Sequence, residues 1–144
     1  KNISYFIKDI SKKYKVIFPI HPRTKKELNK NNLFDCYNNV EVIEPAGYKD
    51  ILKHVAKSVF VITDSGGLQK ECFFAGKNVL NLRDVTEWVE TQSNNFLCDA
   101  LQLDSIQEAY SRCLSTEFDS SRIKDFGDGY AAHIILKSIK NFLT

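Results

Sequence analysis

The chain has 144 residues, a length typical of one domain with its own buried core. Apolar residues make up 43% and charged residues 26%, an ordinary balance for a globular domain, and no apolar run reaches the roughly 18 residues of a membrane-spanning helix. The net charge of +2, with lysines spread along the chain, argues against a nucleic-acid-binding protein.

Four cysteines, at positions 36, 72, 98 and 113, show no Cys-x-x-Cys spacing. Three of them lie in apolar contexts, where a thiol behaves as a small buried hydrophobe, so we expect reduced cysteines and a cytoplasmic protein. The chain contains no methionine and begins at Lys1 within a helical pattern. This predicts a fragment, and a missing N-terminal region would have carried any targeting signal.

Helical and strand patterns alternate along the sequence. The predicted elements are a helix at 2–14, a strand at 15–20, a short helix at 24–29, a strand at 40–43, a helix at 48–56, a strand at 59–63, a helix at 67–75, a strand at 78–82, a weaker strand at 95–98, a helix at 104–114 and a closing amphipathic helix at 130–143. Leu33 and Phe34 anchor the polar loop at 30–39. Ala75 is expected to face inward, Gly76 to end its helix and Asp104 to cap the next one.

Strands separated by helices of about ten residues imply right-handed crossovers and a parallel sheet. We therefore predict an α/β fold, a Rossmann-like three-layer α/β/α domain covering residues 1–144. Ligands bind such sheets outside the carboxyl ends of the strands. Four polar clusters follow predicted strands there: His21, 45–47, 64–67 and 83–87.

The segment Asp64-Ser65-Gly66-Gly67 lies between a predicted strand and a predicted helix. Adjacent glycines let the backbone approach a ligand closely, and the first helical turn presents unpaired N–H groups, an arrangement that suits an anion such as a phosphate. The same residues also fit a tight turn in which Asp64 or Ser65 caps the helix. Ser65 can serve both purposes.

Five motifs carry a family resemblance, in this order: His21-Pro22-Arg23, Thr63-Asp64-Ser65-Gly66-Gly67-Leu68-Gln69-Lys70-Glu71, Gly76-Lys77-Asn78-Val79-Leu80, Arg83-Asp84-Val85-Thr86-Glu87-Trp88-Val89-Glu90 and Gly127-Asp128-Gly129. Together they resemble the C-terminal domain of UDP-N-acetylglucosamine 2-epimerases over the whole chain. The resemblance implies the second half of a glycosyltransferase-B-like fold, in which two domains close over a nucleotide sugar. The fragment alone is expected to be inactive.

The resemblance also implies roles for individual residues. Ser65, Gly66 and Gly67 would bind the diphosphate, and the Glu71 carboxylate would accept hydrogen bonds from both ribose hydroxyls. Glu71 is alternatively a solvated helix residue with Lys70 and Lys77 nearby. The remaining substrate-binding candidates are His21, Arg23, Thr86 and Glu87.

His21 is also the catalytic candidate, since a histidine at a strand end can donate to phosphate or assist proton transfer. Its alternative, like that of Arg23, is a structural or surface role. The main acid and base residues are expected in the missing N-terminal domain. Many family members have Arg-Pro at the positions of Trp88-Val89, the arginine being a substrate contact. Trp88 cannot replace that charge, so the departure points to another UDP-2-acetamido sugar or a compensating cation; alternatively, Trp88 anchors the loop.

The implied reaction is C2 deprotonation with elimination of UDP, then re-addition with C2 inverted, and the non-hydrolysing form is favoured. It requires no cofactor and no metal, and its products feed polysaccharide synthesis. The expected partners are the UDP-sugar substrate and the N-terminal domain of the same chain, with a homodimer left open and neither nucleic acid nor membrane. The alternatives are the donor-binding domain of a glycosyltransferase and a stand-alone nucleotide-binding module.

Overall fold

Helices and parallel strands alternate along residues 1–143, the part of the chain that the computed structural model describes. The helices and strands are α1 (Asn2–Ile10), β1 (Val16–Pro19), α2 (Pro22–Lys30), β2 (Val40–Ile43), α3 (Tyr48–Lys57), β3 (Val61–Thr63), α4 (Gly66–Phe74), β4 (Val79–Asn81), β5 (Asn95–Leu97), α5 (Leu103–Ser115) and α6 (Ala131–Leu143). Short 3-10 turns cover Phe34–Tyr37, Val89–Asn94 and Ile123–Phe126.

The strands pair in parallel, as predicted, but their hydrogen bonds divide them into two groups. β1 pairs with β2, and β3, β4 and β5 form a second sheet in that order. In the second sheet Thr63 lies opposite Asn81, which lies opposite Leu97. The two groups share one cluster of buried side chains that includes Ile20, Val40, Leu80 and Phe96. The α/β prediction is therefore confirmed.

Strand β4 separates two groups of buried side chains. Leu80 joins the large cluster with Phe6 of α1 and Ile106 of α5. Its neighbour Val79 joins Val55 of α3 and Cys72 of α4. Because successive side chains of a strand point to opposite faces, helices cover the sheet on both sides. This arrangement places α4 on the face opposite α1 and α5.

Several predicted boundaries were wrong. The first helix ends at Ile10 rather than 14, and the third strand begins at Val61, leaving Val59 70% exposed. Ala75 does not face inward but is exposed, because α4 stops at Phe74. Gly76 ends the helix as predicted, with a φ of +70° that glycine adopts without strain.

Asp104 does not cap α5. The helix begins at Leu103 with Gln102 at the N-cap position, and no side chain caps it. Asp104 instead lies in the first turn, where its negative charge is favourable to the helix dipole. The sequence pattern located the helix but misplaced its start by one residue.

The closing helix α6 exists, but its apolar side chains are not covered. None of its residues within the described chain is buried; Ile134 is 61% exposed and Phe142 is 90% exposed. Asp128 accepts a hydrogen bond from the Tyr130 backbone at 3.0 Å just before the helix begins. No helix within residues 1–143 is long and apolar enough to cross a membrane.

Candidate functional site

The amino end of α4 combines a capped helix with a glycine-rich approach. Ser65 is the N-cap residue, and its hydroxyl accepts a hydrogen bond from the Leu68 backbone at 3.4 Å. The Thr63 hydroxyl accepts from the Ser65 backbone at 3.0 Å, which fixes the turn after β3. The cap is thus confirmed, and it leaves the Ser65 O–H proton available as a donor. First-turn N–H groups and the positive end of the helix dipole face the same space.

A carboxylate already lies at this helix end. The loop after β4 brings Glu87 so close to Gly66 that a Cβ on the glycine would overlap the Glu87 carboxylate. Arg83 Nη1 lies 3.1 Å from Glu87 Oε2, so an ion pair stands over the start of α4. Sequence reasoning singled out Glu87 but not Arg83, although the motif at 83–90 contains both. Arg83 and Glu87 are four residues apart, a spacing that predicts an ion pair in a helix but not in a loop.

Glu71 lies on the next turn of α4, half-buried, beside an open cleft of about 290 Å³. The cleft is lined by Tyr48, Leu52, Glu71, Phe74 and Ala75. The neighbouring lysines do not neutralise Glu71. Lys70 Nζ lies 4.2 Å from the Trp88 ring centroid, and Lys77 Nζ donates to the Ser58 carbonyl at 2.8 Å.

Within residues 1–143 the Glu71 carboxylate has no ion pair. An acceptor of this kind on a mostly apolar wall can bind the hydroxyl groups of a ligand that enters the cleft.

His21 caps α2. Its Nδ1 accepts a hydrogen bond from the Arg23 backbone at 3.2 Å, which requires the neutral ring to carry its proton on Nε2. Pro22 at the first helical position is the sequence signal that could have predicted this cap. Both His21 and Arg23 are exposed. Within residues 1–143, neither side chain forms a hydrogen bond or an ion pair with the residues at the amino end of α4.

The Thr86 hydroxyl is engaged inside the protein. It donates to Gln69 Oε1 at 2.8 Å and accepts from the Trp88 backbone at 3.1 Å. Gln69 is only 1% exposed, and it was missed by sequence reasoning because a glutamine in a helix is usually solvated. Trp88 is half-buried, which supports the alternative that it anchors its loop.

The four cysteines are free and buried. Burial raises the pKa of the Cys72 and Cys113 thiols to about 12 and that of Cys98 to about 11. These thiols are therefore protonated and unreactive at neutral pH. Across residues 1–143 no three His, Cys, Asp or Glu side chains form a cluster able to hold a metal ion.

Comparisons with known proteins place this geometry in context. Residues 1–140 match the family model described as UDP-N-acetylglucosamine 2-epimerase. A UDP-N-acetylglucosamine 2-epimerase of Methanococcus maripaludis is 37% identical over 140 residues, covering 92% of this chain and 37% of that protein. A UDP-2,3-diacetamido-2,3-dideoxy-D-glucuronate 2-epimerase of Pseudomonas aeruginosa is 37% identical over 119 residues, covering 81% of this chain and 32% of that protein.

Solved structures agree with the sequence relatives. The crystal structure of Methanocaldococcus jannaschii UDP-GlcNAc 2-epimerase in complex with UDP-GlcNAc and UDP superposes with a TM-score of 0.80 at 31% identity. The match covers 97% of this chain and 40% of that one. The chain thus spans 32% to 40% of the length of these three proteins.

Proposed function

The chain belongs to the UDP-N-acetylglucosamine 2-epimerase family, and from this membership we propose that it is the UDP-binding domain of a longer epimerase. One observation carries the proposal. The Ser65-capped end of α4 and the Glu71 carboxylate lie on successive turns of one helix, and Glu71 lines an open cleft. A nucleoside diphosphate carries negative phosphates next to a ribose with two hydroxyl groups. The phosphates would meet the helix end, and the hydroxyl groups would meet the Glu71 carboxylate.

In this proposal the diphosphate lies at the amino end of α4. The Ser65 hydroxyl and the first-turn N–H groups of Gly66 and Gly67 donate to its oxygens. Glu71 accepts from both ribose hydroxyls, a bidentate arrangement suited to a vicinal diol. The exposed ring of Tyr48 gives the adjoining cleft an aromatic wall on which the base stacks.

The other candidate residues take supporting roles. His21 donates from Nε2 to a phosphate or sugar oxygen, and Arg23 adds a cation beside it. A carboxylate repels phosphate, so the exposed Glu87 carboxylate turns away from Gly66 when the diphosphate binds and contacts a sugar hydroxyl. Thr86 acts through its position in the loop, because its hydroxyl is engaged by Gln69 and Trp88.

The longer enzyme would act at C2 of a UDP-2-acetamido sugar. A base removes the C2 proton, the bond from C1 to the UDP oxygen breaks, and UDP stays bound until it adds back with C2 inverted. This domain's task is to retain UDP through both steps. Relatives of equal identity are named for N-acetylglucosamine and for a diacetamido glucuronate, so we propose the shared 2-acetamido feature as the substrate class.

A preceding domain would complete the cleft and supply the acid and base groups. The chain covers 37% of one relative and 40% of a solved one, which leaves room for such a domain. The uncovered apolar side chains of α6, including Ile139 and Phe142, are the surface that we propose it covers. A homodimer would cover this helix instead, and sedimentation of the longer protein distinguishes the two. Four free cysteines favour a reducing, cytoplasmic compartment.

Calorimetric titration of the chain with UDP tests the proposal. Ser65→Ala and Glu71→Gln should each weaken binding, by about tenfold if a charge-assisted hydrogen bond is lost. Glu108→Gln and Ser111→Ala, on the exposed side of α5, are the matched controls and should bind like the unmodified chain. If the four variants bind UDP equally, the site assignment is wrong.

A further inference from the structure

The loop after β4 is tied to α4 by a closed circuit of hydrogen bonds. Gln69 Oε1 accepts from Thr86 Oγ1 and from Asn95 Nδ2, both at 2.8 Å. Thr86 Oγ1 accepts from the Trp88 backbone at 3.1 Å, and Thr91 Oγ1 donates to the Trp88 carbonyl at 2.8 Å. Asn95 Nδ2 lies 3.4 Å from Thr91 Oγ1, which closes the circuit.

The circuit is shielded from water. Gln69 and Thr91 are each 1% exposed and Asn95 is 5% exposed. A buried donor that loses its acceptor bears the full cost of desolvation, so the two donors to Gln69 hold it more firmly than surface groups would. The side-chain carbonyl of Gln69 thus joins α4 to both the loop and β5.

Glu87 stands between the two residues that the circuit fixes. Thr86 is held by its hydroxyl and Trp88 by both backbone groups, while Lys70 of α4 lies over the Trp88 ring at 4.2 Å. The backbone that carries Glu87 is therefore held by contacts with α4, while Arg83 pairs with the Glu87 carboxylate over Gly66. The loop and the helix end act as one unit.

We propose that Gln69 is a positioning residue, whose buried carbonyl holds the Thr86–Thr91 segment against α4 and so places Glu87 at the amino end of that helix. The effect of this positioning on ligand binding rests on the proposed function, because the Glu87 carboxylate borders the proposed diphosphate site. Its structural part stands on the hydrogen bonds alone.

Trp88 is the sole tryptophan of the chain and so reports on the loop. Gln69→Met keeps the side-chain length but removes the acceptor. Thr86→Val keeps the shape but removes both the donor to Gln69 and the acceptor of the Trp88 backbone N–H. Both should raise the acrylamide quenching constant of Trp88 and shift its emission to longer wavelength. Thr86→Ser, which keeps the hydroxyl, should keep the unmodified values.

Asn78→Ala is the control for general loss of stability. The Asn78 amide donates to the carbonyls of Cys113 and Thr116, at the end of β4 that is remote from the loop. It should lower the unfolding midpoint without changing Trp88 quenching. Unchanged quenching in Gln69→Met and Thr86→Val, or an equal change in Asn78→Ala, would overturn the inference.

Titration of the same variants with UDP-N-acetylglucosamine and with UDP separates this inference from the proposed function. Gln69→Met should weaken binding of UDP-N-acetylglucosamine about fivefold and leave the affinity for UDP nearly unchanged, because the Glu87 carboxylate that it misplaces is proposed to contact the sugar. Altered quenching with unaltered affinity for UDP-N-acetylglucosamine would reduce Gln69 to a structural tether and overturn its role at the site. If the unmodified chain binds no UDP, the proposed function fails in this chain while the quenching data still decide the placement of the loop.

Discussion

Gly66 and Glu87 meet at the amino end of α4 so closely that no other residue type fits at position 66 without moving the Glu87 carboxylate. The contact joins two motifs that are separated by a helix and a strand. It places a negative group where first-turn N–H groups and Arg83 attract an anion.

Gly66→Ala should therefore lower the affinity for UDP while changing the free energy of unfolding only slightly. The carboxylate is 50% exposed and can swing away, so the change in unfolding free energy should stay under about 1 kcal/mol. UDP affinity should fall about tenfold because the methyl group fills the approach to the helix end. Gly67→Ala is the stability comparison, since no atom lies within 4 Å of its added carbon. Undiminished UDP affinity in Gly66→Ala would contradict the proposed diphosphate position.

Ser65→Ala should destabilise the chain even without ligand. Removing an N-cap hydroxyl costs about 1 kcal/mol, which lowers the unfolding midpoint by roughly 2–4 °C in a chain of this size. Thermal unfolding followed by circular dichroism measures the shift. Ser111→Ala removes a hydroxyl from an exposed site on α5 and should change the midpoint by less than half as much. Equal shifts would mean that the Ser65 cap contributes nothing specific.

Gly76→Ala tests the end of α4. Because φ at this position is +70°, alanine should cost about 1–2 kcal/mol of unfolding free energy although there is open space for its methyl group. Gly76→Asn is the matched variant, since asparagine tolerates this conformation better, and its cost should be smaller. Urea titration of both variants measures the difference. Equal costs would indicate that backbone conformation is not the cause.

The buried thiols predict a loss of stability in alkali. The pKa of Cys72 rises from 9.0 to about 12 on folding, and Cys113 behaves alike, because burial disfavours the thiolate. Unfolded thiols lose their protons first, so the free energy of unfolding should be unaffected by these groups below about pH 9 and decrease from there to about pH 12. Cys72→Ala together with Cys113→Ala should flatten this decrease. An identical slope would assign it to other groups.

The same burial should make the thiols slow to react. At pH 8 a thiol-specific reagent should modify the folded chain at least about tenfold more slowly than the chain in denaturant. Rapid modification of one thiol in the folded chain would show that its surroundings open readily.

Much of the fold could be predicted from local patterns. Apolar runs placed the strands to within about two residues, and Gly76 marked a helix end because positive φ is a local property of one residue. The Ser65 to Gly67 turn was equally visible, since cap, glycines and helix start are adjacent in the chain. Errors arose at ends such as Asp104, where several polar residues compete for the same role.

Contacts between distant segments were not predictable in this way. Gln69 meets Thr86 and Asn95, which lie 17 and 26 residues further along the chain. Cys72 and Phe73, three and four residues on, share its helical face and were a signal of burial, but they do not indicate which distant residues Gln69 meets. The helical period of α6 likewise predicts an apolar stripe without specifying what covers it. Such features depend on how elements pack rather than on their own sequence.

The alternation of Val79 and Leu80 has a consequence for how this domain can diverge. Leu80 belongs to the cluster formed with α1 and α5, whereas Val79 belongs to the cluster beneath α3 and α4. Substitutions on the two faces therefore share few neighbours, and their effects on stability should add. If ligand binds at the α4 side, as proposed, substitutions there would alter specificity while the opposite side keeps the chain folded. A descendant with a new specificity need alter only half of the molecule.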